Sequence, residues 1–383
     1  MIGRREVMAA IAGGVALPGV AIGAEPRVFT AEIAVENNRV LIAVRLKGRG
    51  PYRFMIDTGS YLSLIRPDLA KTLNLRTQAI ERSRGIGGTD AYNLFLADDV
   101  LIGERVHQPQ VVFSDAFKFG YGADIYGALA AGMLTAMDSE LDFDASALRF
   151  YPDGRGERPG YVAIESEIPR LDSPAQGSRR ISATVLIDGR PIRCVLDTGA
   201  PYALMLNQTV GRRLGLWNDT RPFAPLRPNG IGGTAPIARI VRAGSIEMGG
   251  AKDERPLVTV LGSDVAAEFD GIVGLSFIRR FNLSVDTRAR KLWVKPSAQT
   301  PPVQRYGLSG LWIDKDGDRI TVKAVGSGSP AALAGVTVGD TIVGMSWEGA
   351  LAAINGPAGK AVTLGLERRG ARRTVPFTLA AYL

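Results

Sequence analysis

Histidine and cysteine are almost missing from this sequence of 383 residues, which holds one of each, His107 and Cys194. A single cysteine closes no disulfide within the chain, and zinc centres assembled from several Cys and His ligands are excluded. A serine or cysteine nucleophile that relies on histidine would have only His107 to use. Hydrolytic chemistry therefore falls to carboxylates, or to a metal site free of both residue types. Beyond the N-terminal segment no apolar run reaches the roughly 20 residues needed to span a bilayer. The net charge is +8, but Lys and Arg are scattered rather than striped, which argues against a nucleic-acid partner. In contrast, 46 Gly and 22 Pro make the chain turn-rich, so the expected fold is mainly β.

The first residues read as an export signal. Arg4-Arg5 precedes an uncharged apolar run, Val7–Ile22, and Ala24 stands before Glu25-Pro26. Charge, apolar run and small residue in that order mark a secretory signal over residues 1–24. The expected location is a bacterial periplasm or the cell exterior, with no stable membrane span after cleavage. The arginine pair is compatible with the twin-arginine route.

The rest contains a long internal repeat. Phe54-Met55-Ile56-Asp57-Thr58-Gly59-Ser60 lies over Cys194-Val195-Leu196-Asp197-Thr198-Gly199-Ala200. Each copy follows two β-like runs: Val40–Leu46 and Tyr52–Ile56 around a Gly/Pro turn, then Ile181–Ile187 and Ile192–Leu196 around Asp188-Gly189. Asp-Gly between alternating apolar runs is a strong hairpin signal. Downstream, Gly85-Ile86-Gly87-Gly88-Thr89 matches Gly230-Ile231-Gly232-Gly233-Thr234. Tyr126–Pro152 then aligns without gaps to Asp270–Pro296. Matching blocks in one order imply two copies of a β-rich unit, paired about a pseudo-dyad rather than stacked as a solenoid.

An apolar strand ending in Asp-Thr-Gly holds its carboxylate on a tight turn that glycine permits. Two such loops meeting on a dyad would bring Asp57 and Asp197 together. Like charges so close cannot both ionise readily, so the pair shares one proton. One carboxyl can then take a proton from water while the other polarises a carbonyl, with no histidine, metal or cofactor.

On these motifs, and on the later apolar-Gly elements at Gly127 and Ile272-Val273-Gly274-Leu275, the chain resembles the aspartic peptidases of the pepsin and retroviral superfamily. The resemblance covers residues 27–152 and 176–296, joined by a linker over 153–175. It implies two retropepsin-like closed β-barrel lobes in a pseudo-two-fold arrangement, meeting through a six-stranded interface, with peptide or protein as substrate. Asp57 and Asp197 would be catalytic. Thr58 and Thr198 would cross-link the two loops, beside Gly59 and Gly199. Ser60 would bond its neighbouring carboxyl, a role that Ala200 cannot fill. Ile86, Gly87 and Gly88, with Ile231, Gly232 and Gly233, would form flaps over the substrate; the alternative is a pair of plain hairpin turns. Gly-Ile-Gly-Gly is no phosphate loop, because no Lys-Ser/Thr follows at the required spacing. One departure is Ala130 where the second copy has Gly274, an extra methyl behind the Asp57 loop. Two other readings are a non-catalytic peptide-binding scaffold of the same fold and an acid–base hydrolase of a non-peptide substrate.

The remaining residues of note read as structural. His107 is expected in an exposed loop, and Cys194 as a small buried filler of its strand. Asp138, Glu140, Asp142 and Asp144 alternate with apolar residues at strand period, so a solvated strand face is expected. They lack the glycine and terminal glutamate of a calcium loop.

Residues 305–383 form a different domain. Gly328-Ser329-Pro330-Ala331-Ala332-Leu333-Ala334-Gly335 places a capping serine and a first-turn proline on a short helix that glycine ends. With Val338-Gly339-Asp340-Thr341-Ile342 after it, the segment resembles a bacterial PDZ domain, a small β-sandwich with short helices. That resemblance implies that a protein C-terminus adds as a strand beside Gly307–Ile313, held at Gly307, Leu308, Ser309 and Gly310. The alternative is a docking module whose groove is filled internally. The Pro-rich break Ser297–Gln304 is expected to carry few contacts.

Overall fold

The structure, a computed structural model, describes residues 27–116, 122–170, 178–265 and 268–383. The expected export signal lies outside these. No helix among the described residues is long and apolar enough to cross a membrane.

Both repeats begin with a hairpin dictated by alternation. In the first, Arg39–Leu46 pairs antiparallel with Arg49–Ile56 and buries Val40, Ile42, Val44, Leu46, Phe54 and Ile56. Its turn is Lys47-Gly48, both at positive φ, so the second strand starts ahead of Tyr52 and takes in Pro51. In the second repeat, Ser182–Ile187 pairs with Arg190–Asp197 around Asp188-Gly189, again both at positive φ. Such two-residue turns match the natural twist of the strands. Each hairpin's inner strand then gains a parallel neighbour, Ile125–Leu129 in the first repeat and Gly271–Gly274 in the second. These central strands, covered on both sides, are almost continuously apolar.

Six strands join the repeats, in the order Val162–Ala163, Lys291–Pro296, Phe281–Asp286, Asp138–Asp142, Ala147–Tyr151, Phe29–Glu36. Leu283 sits opposite Leu141 at the seam. In the first lobe an added pairing of Arg39–Leu46 with Gly88–Ile102 links its strands into a ring. In the second lobe the strand path stays open among the described residues, with Ser166–Glu167 branching off it against Ser182–Ile187, so the expected closed barrel is not seen there. In the linker the apolar stretch Tyr161–Ile168 reads as one strand but forms two short ones, Val162–Ala163 and Ser166–Glu167.

The acidic face of Asp138–Asp142 is not solvated as expected. Asp138 and Glu140 are buried, because their strand lies inside the joining sheet. Arg149 pairs with both Glu140 and Asp142, at 2.6 and 2.7 Å, and Asp138 accepts from Thr287 N, Thr287 Oγ and Arg155 N. Strand periodicity alone did not show that both faces would be covered. His107 is exposed but lies in the strand Val106–Ser114, not a loop, against Asp99 at 2.9 Å. Cys194 is fully buried, and burial pushes its thiol pKa up.

The C-terminal unit is a five-stranded antiparallel meander, Leu311–Asp316 through Ala371–Thr378, with its own apolar core. Ser329 Oγ accepts from Ala332 N to cap the helix Pro330–Leu333, and Ser346 Oγ accepts from Gly349 N to cap Trp347–Ile354. The Pro-rich break is better anchored than its composition suggests. Ser297 Oγ and Ala298 N bond Asp144, and Gln304 Oε1 accepts from Leu257 N. Proline removes donors but leaves neighbouring side chains free to make these bonds.

Candidate active site

The strands Arg49–Ile56 and Arg190–Asp197 deliver the two Asp-Thr-Gly loops to one point. Asp57 N donates to Leu129 O at 2.8 Å, which fixes the first loop to its parallel neighbour. The threonines then tie the loops together. Thr58 Oγ donates to Leu196 O and Thr198 Oγ to Ile56 O, at 2.8 and 2.5 Å. Each hydroxyl also accepts from the opposite backbone amide, Thr198 N at 3.0 Å and Thr58 N at 3.2 Å. Both threonines are buried, so these bonds are shielded from water.

Glycine at the third position is a requirement of closeness. A side-chain carbon on Gly59 would sit 2.3 Å from Asp197 Cγ, and one on Gly199 would sit 2.8 Å from Asp57 Cγ. The loops therefore present their carboxyls to each other without intervening atoms.

The carboxyls have unequal surroundings. Asp57 accepts from Ser60 Oγ at 2.7 Å and Gly59 N at 3.1 Å. Asp197 accepts from Gly199 N at 2.8 Å and Ala200 N at 3.1 Å, both backbone donors. Burial pushes the Asp57 pKa up, against the opposing bonds from Ser60 and its other donors. Burial, and next the charge of Asp57, push Asp197 well above the ordinary carboxylate range. Burial thus favours keeping a proton on the pair, whose two members titrate as one unit.

The extra methyl of Ala130 is accommodated by a local exchange. Gly274 N bonds the backbone carbonyl of Ala203 at 3.0 Å, and a carbon on Gly274 would strike Tyr202 O at 2.1 Å. Ala130 N instead bonds Ser63 Oγ at 3.1 Å. Ala131 N and Leu275 N still bond Ser60 O and Ala200 O in the same way.

The two Gly-Ile-Gly-Gly segments meet. Gly87 N donates to Ile231 O at 2.9 Å, and a carbon on Gly87 would lie 2.1 Å from Gly233 O. Ile86 packs against Ala200, Met205 and Leu261 of the second lobe. Ile231 packs against Met55, Tyr92 and Ala128 of the first. Each tip thus reaches across to the opposite lobe. Tyr92, which the sequence did not single out, accepts from Gly232 N at 2.9 Å. It has no counterpart in the repeat pattern that could have flagged it.

Gly307, Leu308, Ser309 and Gly310 lie in the C-terminal unit, in the turn before Leu311–Asp316. Gly310 N bonds Gly307 O, Gly310 O accepts from Gly326 N, and the buried Ser309 Oγ accepts from Leu311 N. No group of His, Cys, Asp and Glu side chains suited to a metal ion occurs among the described residues.

No curated protein is significantly similar to the chain. Solved structures with a similar arrangement include soybean basic 7S globulin, at 11% identity over 70% of this chain and 95% of that one, with a TM-score of 0.40. They also include the aspartic proteinase of Irpex lacteus, at 14% identity over 71% of this chain and 98% of that one, with a TM-score of 0.44. A family described as aspartyl protease matches twice, over residues 42–135 and 183–277. Both repeats thus carry the sequence pattern of the aspartyl proteases, and each contributes one Asp-Thr-Gly loop to the paired site.

Proposed function

We propose that the chain is an exported aspartic endopeptidase that hydrolyses peptide bonds with the Asp57/Asp197 pair. The observation that carries this reading is the geometry of the pair: two facing carboxyls on loops joined by Thr58 and Thr198, with two flap tips that meet and reach across the lobes. Asp57, ionised, takes a proton from the attacking water. Asp197, protonated, polarises the scissile carbonyl and gives its proton to the developing oxyanion. The proton gained by Asp57 then passes to the leaving amine as the C–N bond breaks, and one hydroxyl of the gem-diol returns its proton to Asp197, which releases the acid and restores the pair. The flaps, through backbone groups of Gly87, Gly88, Gly232 and Gly233, hold an extended substrate in place. The first lobe, a closed ring of strands, and the second, an open sheet, each keep their loop rigid.

The C-terminal unit, read as a PDZ domain, recruits a peptide or partner C-terminus at Gly307–Gly310. Export rests on the charged, apolar and small-residue order of residues 1–24, which places the mature chain in the periplasm or outside the cell.

Purified protein incubated with a random peptide library, beside the Asp57→Asn variant, tests the reading. Cleavage at mapped sites by the parent alone is the expected result. Binding without cleavage would favour a scaffold, and neither would favour a non-peptide substrate.

A further inference from the structure

The two flaps are built unequally. The first is a long hairpin, Arg76–Gly85 with Gly88–Ile102, paired continuously from Ala79 opposite Leu94 to its tip. The second has two register pairs of its own, Asn229 with Thr234 and Gly230 with Gly233. Pro228 and Pro236 flank it and interrupt the ladder below. A flap so short holds its tip poorly by itself, although Ile231 must reach the opposite lobe.

Its tip is bonded to Gly87 and Tyr92 of the first lobe, and its base is supported by the C-terminal unit. Just before the flap, the strand Ala224–Leu226 leads into Arg227. Arg227 Nη1 pairs with Asp314 Oδ2 at 2.6 Å, with both side chains largely shielded, and its guanidinium lies over the Trp312 ring. Trp312 Nε1 donates to the other oxygen of Asp314 at 3.0 Å, which fixes the carboxylate. One strand-width earlier, Phe223 O accepts from Tyr382 Oη at 3.1 Å. There a carbon on Gly326 would lie 2.0 Å from the same carbonyl, so the two backbones are in contact. Ala224, Ile240 and Leu257 share an apolar cluster with Tyr306 and Tyr382.

We propose that the C-terminal unit is a brace for the second flap, and that Arg227, held by Asp314, positions Ile231 over the Asp57/Asp197 pair. The flap's part in catalysis rests on the peptidase reading; the brace itself does not. The route is short and covalent. Arg227 is four residues from Ile231, and Pro228, which restricts the backbone between them, also accepts from Ala235 N at 2.9 Å through its carbonyl.

The test uses the full chain with Arg227→Glu, Asp314→Arg, the double reversal, and Tyr382→Phe, which keeps its ring packing. Hydrogen exchange is followed at residues 229–234 and, for comparison, at 85–89 and in the C-terminal sheet. Each single charge reversal should speed exchange in the second flap by about fivefold or more, as loss of a shielded ion pair would. The first flap's own ladder should hold its rate. The double reversal should restore slow exchange, and Tyr382→Phe should give a smaller rise in the same place. On a short peptide, KM should rise with kcat little changed, and fall back in the double reversal. Unchanged exchange at 229–234 in all variants would overturn the brace. So would protection lost evenly across the second lobe, which would make the contact a general support of the fold. Faster flap exchange in the single reversals, together with a parent that cleaves no peptide, would sink the peptidase reading and leave the brace standing.

Discussion

Gly59 faces Asp197 so closely that a methyl group in its place would lie 2.3 Å from the carboxyl carbon. The two carboxyls therefore share one desolvated space, and burial raises both pKa values. Neither can act as both acid and base. Asp57→Asn and Asp197→Asn should each lower turnover by about 10²–10⁴-fold or more, and the double variant should lose little beyond that. Peptide turnover, with circular dichroism to confirm the fold, checks it.

The same burial makes the pair a burden on stability. Its folded-state pKa values lie above those of the unfolded chain, so the folded state binds more protons between the two. The benefit is full below the unfolded values, about pH 4, and is lost as pH rises through the raised ones. Asp197→Asn, with no charge to bury, should therefore unfold at higher denaturant than the parent at about pH 7, with the gap closing towards about pH 4. Urea midpoints across that range would show the reverse trend if the pair were not desolvated.

Ser60 and Ala200 assign the two limbs of the pH–rate curve. Ser60 Oγ donates to Asp57, the member that the proposed mechanism uses as the base. Ser60→Ala should move the acidic limb up by about one unit, the worth of one hydrogen bond to a charged group. Ala200→Ser would offer Asp197 a donor it lacks and should move the basic limb down by a similar amount. Limbs that move the other way round would exchange the roles of the two aspartates.

Gly87→Ala should part the flaps, because its side-chain carbon would lie 2.1 Å from Gly233 O. KM for peptide should rise by about tenfold, a loss of roughly 1.4 kcal/mol in binding, while unfolding by urea shifts little. Steady-state kinetics with an unchanged KM would show that the flaps do not close on substrate.

The repeat made much of the site legible in advance. Asp57 and Asp197 follow from residues that recur at matching positions, while the threonine cross-links and the Ser60 bond follow from what the resemblance to the aspartic peptidases implies. What was not legible comes from pairings between distant segments. Asp138 and Glu140 alternate as a solvated strand would, but Thr287 and Arg155 from distant segments bond the first, and Arg149 and Tyr151 the second. Tyr92 belongs to one copy alone, so no repeat signal marks the hydroxyl that holds Gly232. The anchoring of the Pro-rich break by Asp144 and Gln304 likewise depends on partners far away in the chain.

Asp138 also carries an acid-stability prediction. Burial tends to raise its pKa, but the donors Thr287 Oγ, Thr287 N and Arg155 N outweigh that and hold it below the ordinary range. Its contribution is present above the unfolded value and is lost as pH falls through the depressed one. Asp138→Ala should cost about 2 kcal/mol near pH 7, and the difference from the parent should shrink on acidification. Urea unfolding at several pH values measures both.

The joining sheet has a consequence for how the cleft comes into being. Leu141 and Leu283 meet within one chain, so the halves are tethered at an effective concentration that dilution cannot change. Assembly of the cleft is a unimolecular step, and the fraction of molecules with a complete site is the same at nanomolar and micromolar protein. Two identical subunits would have to carry the same residue after both glycines. A tethered pair can keep serine on one side and alanine on the other, and so give its two aspartates different hydrogen-bond donors.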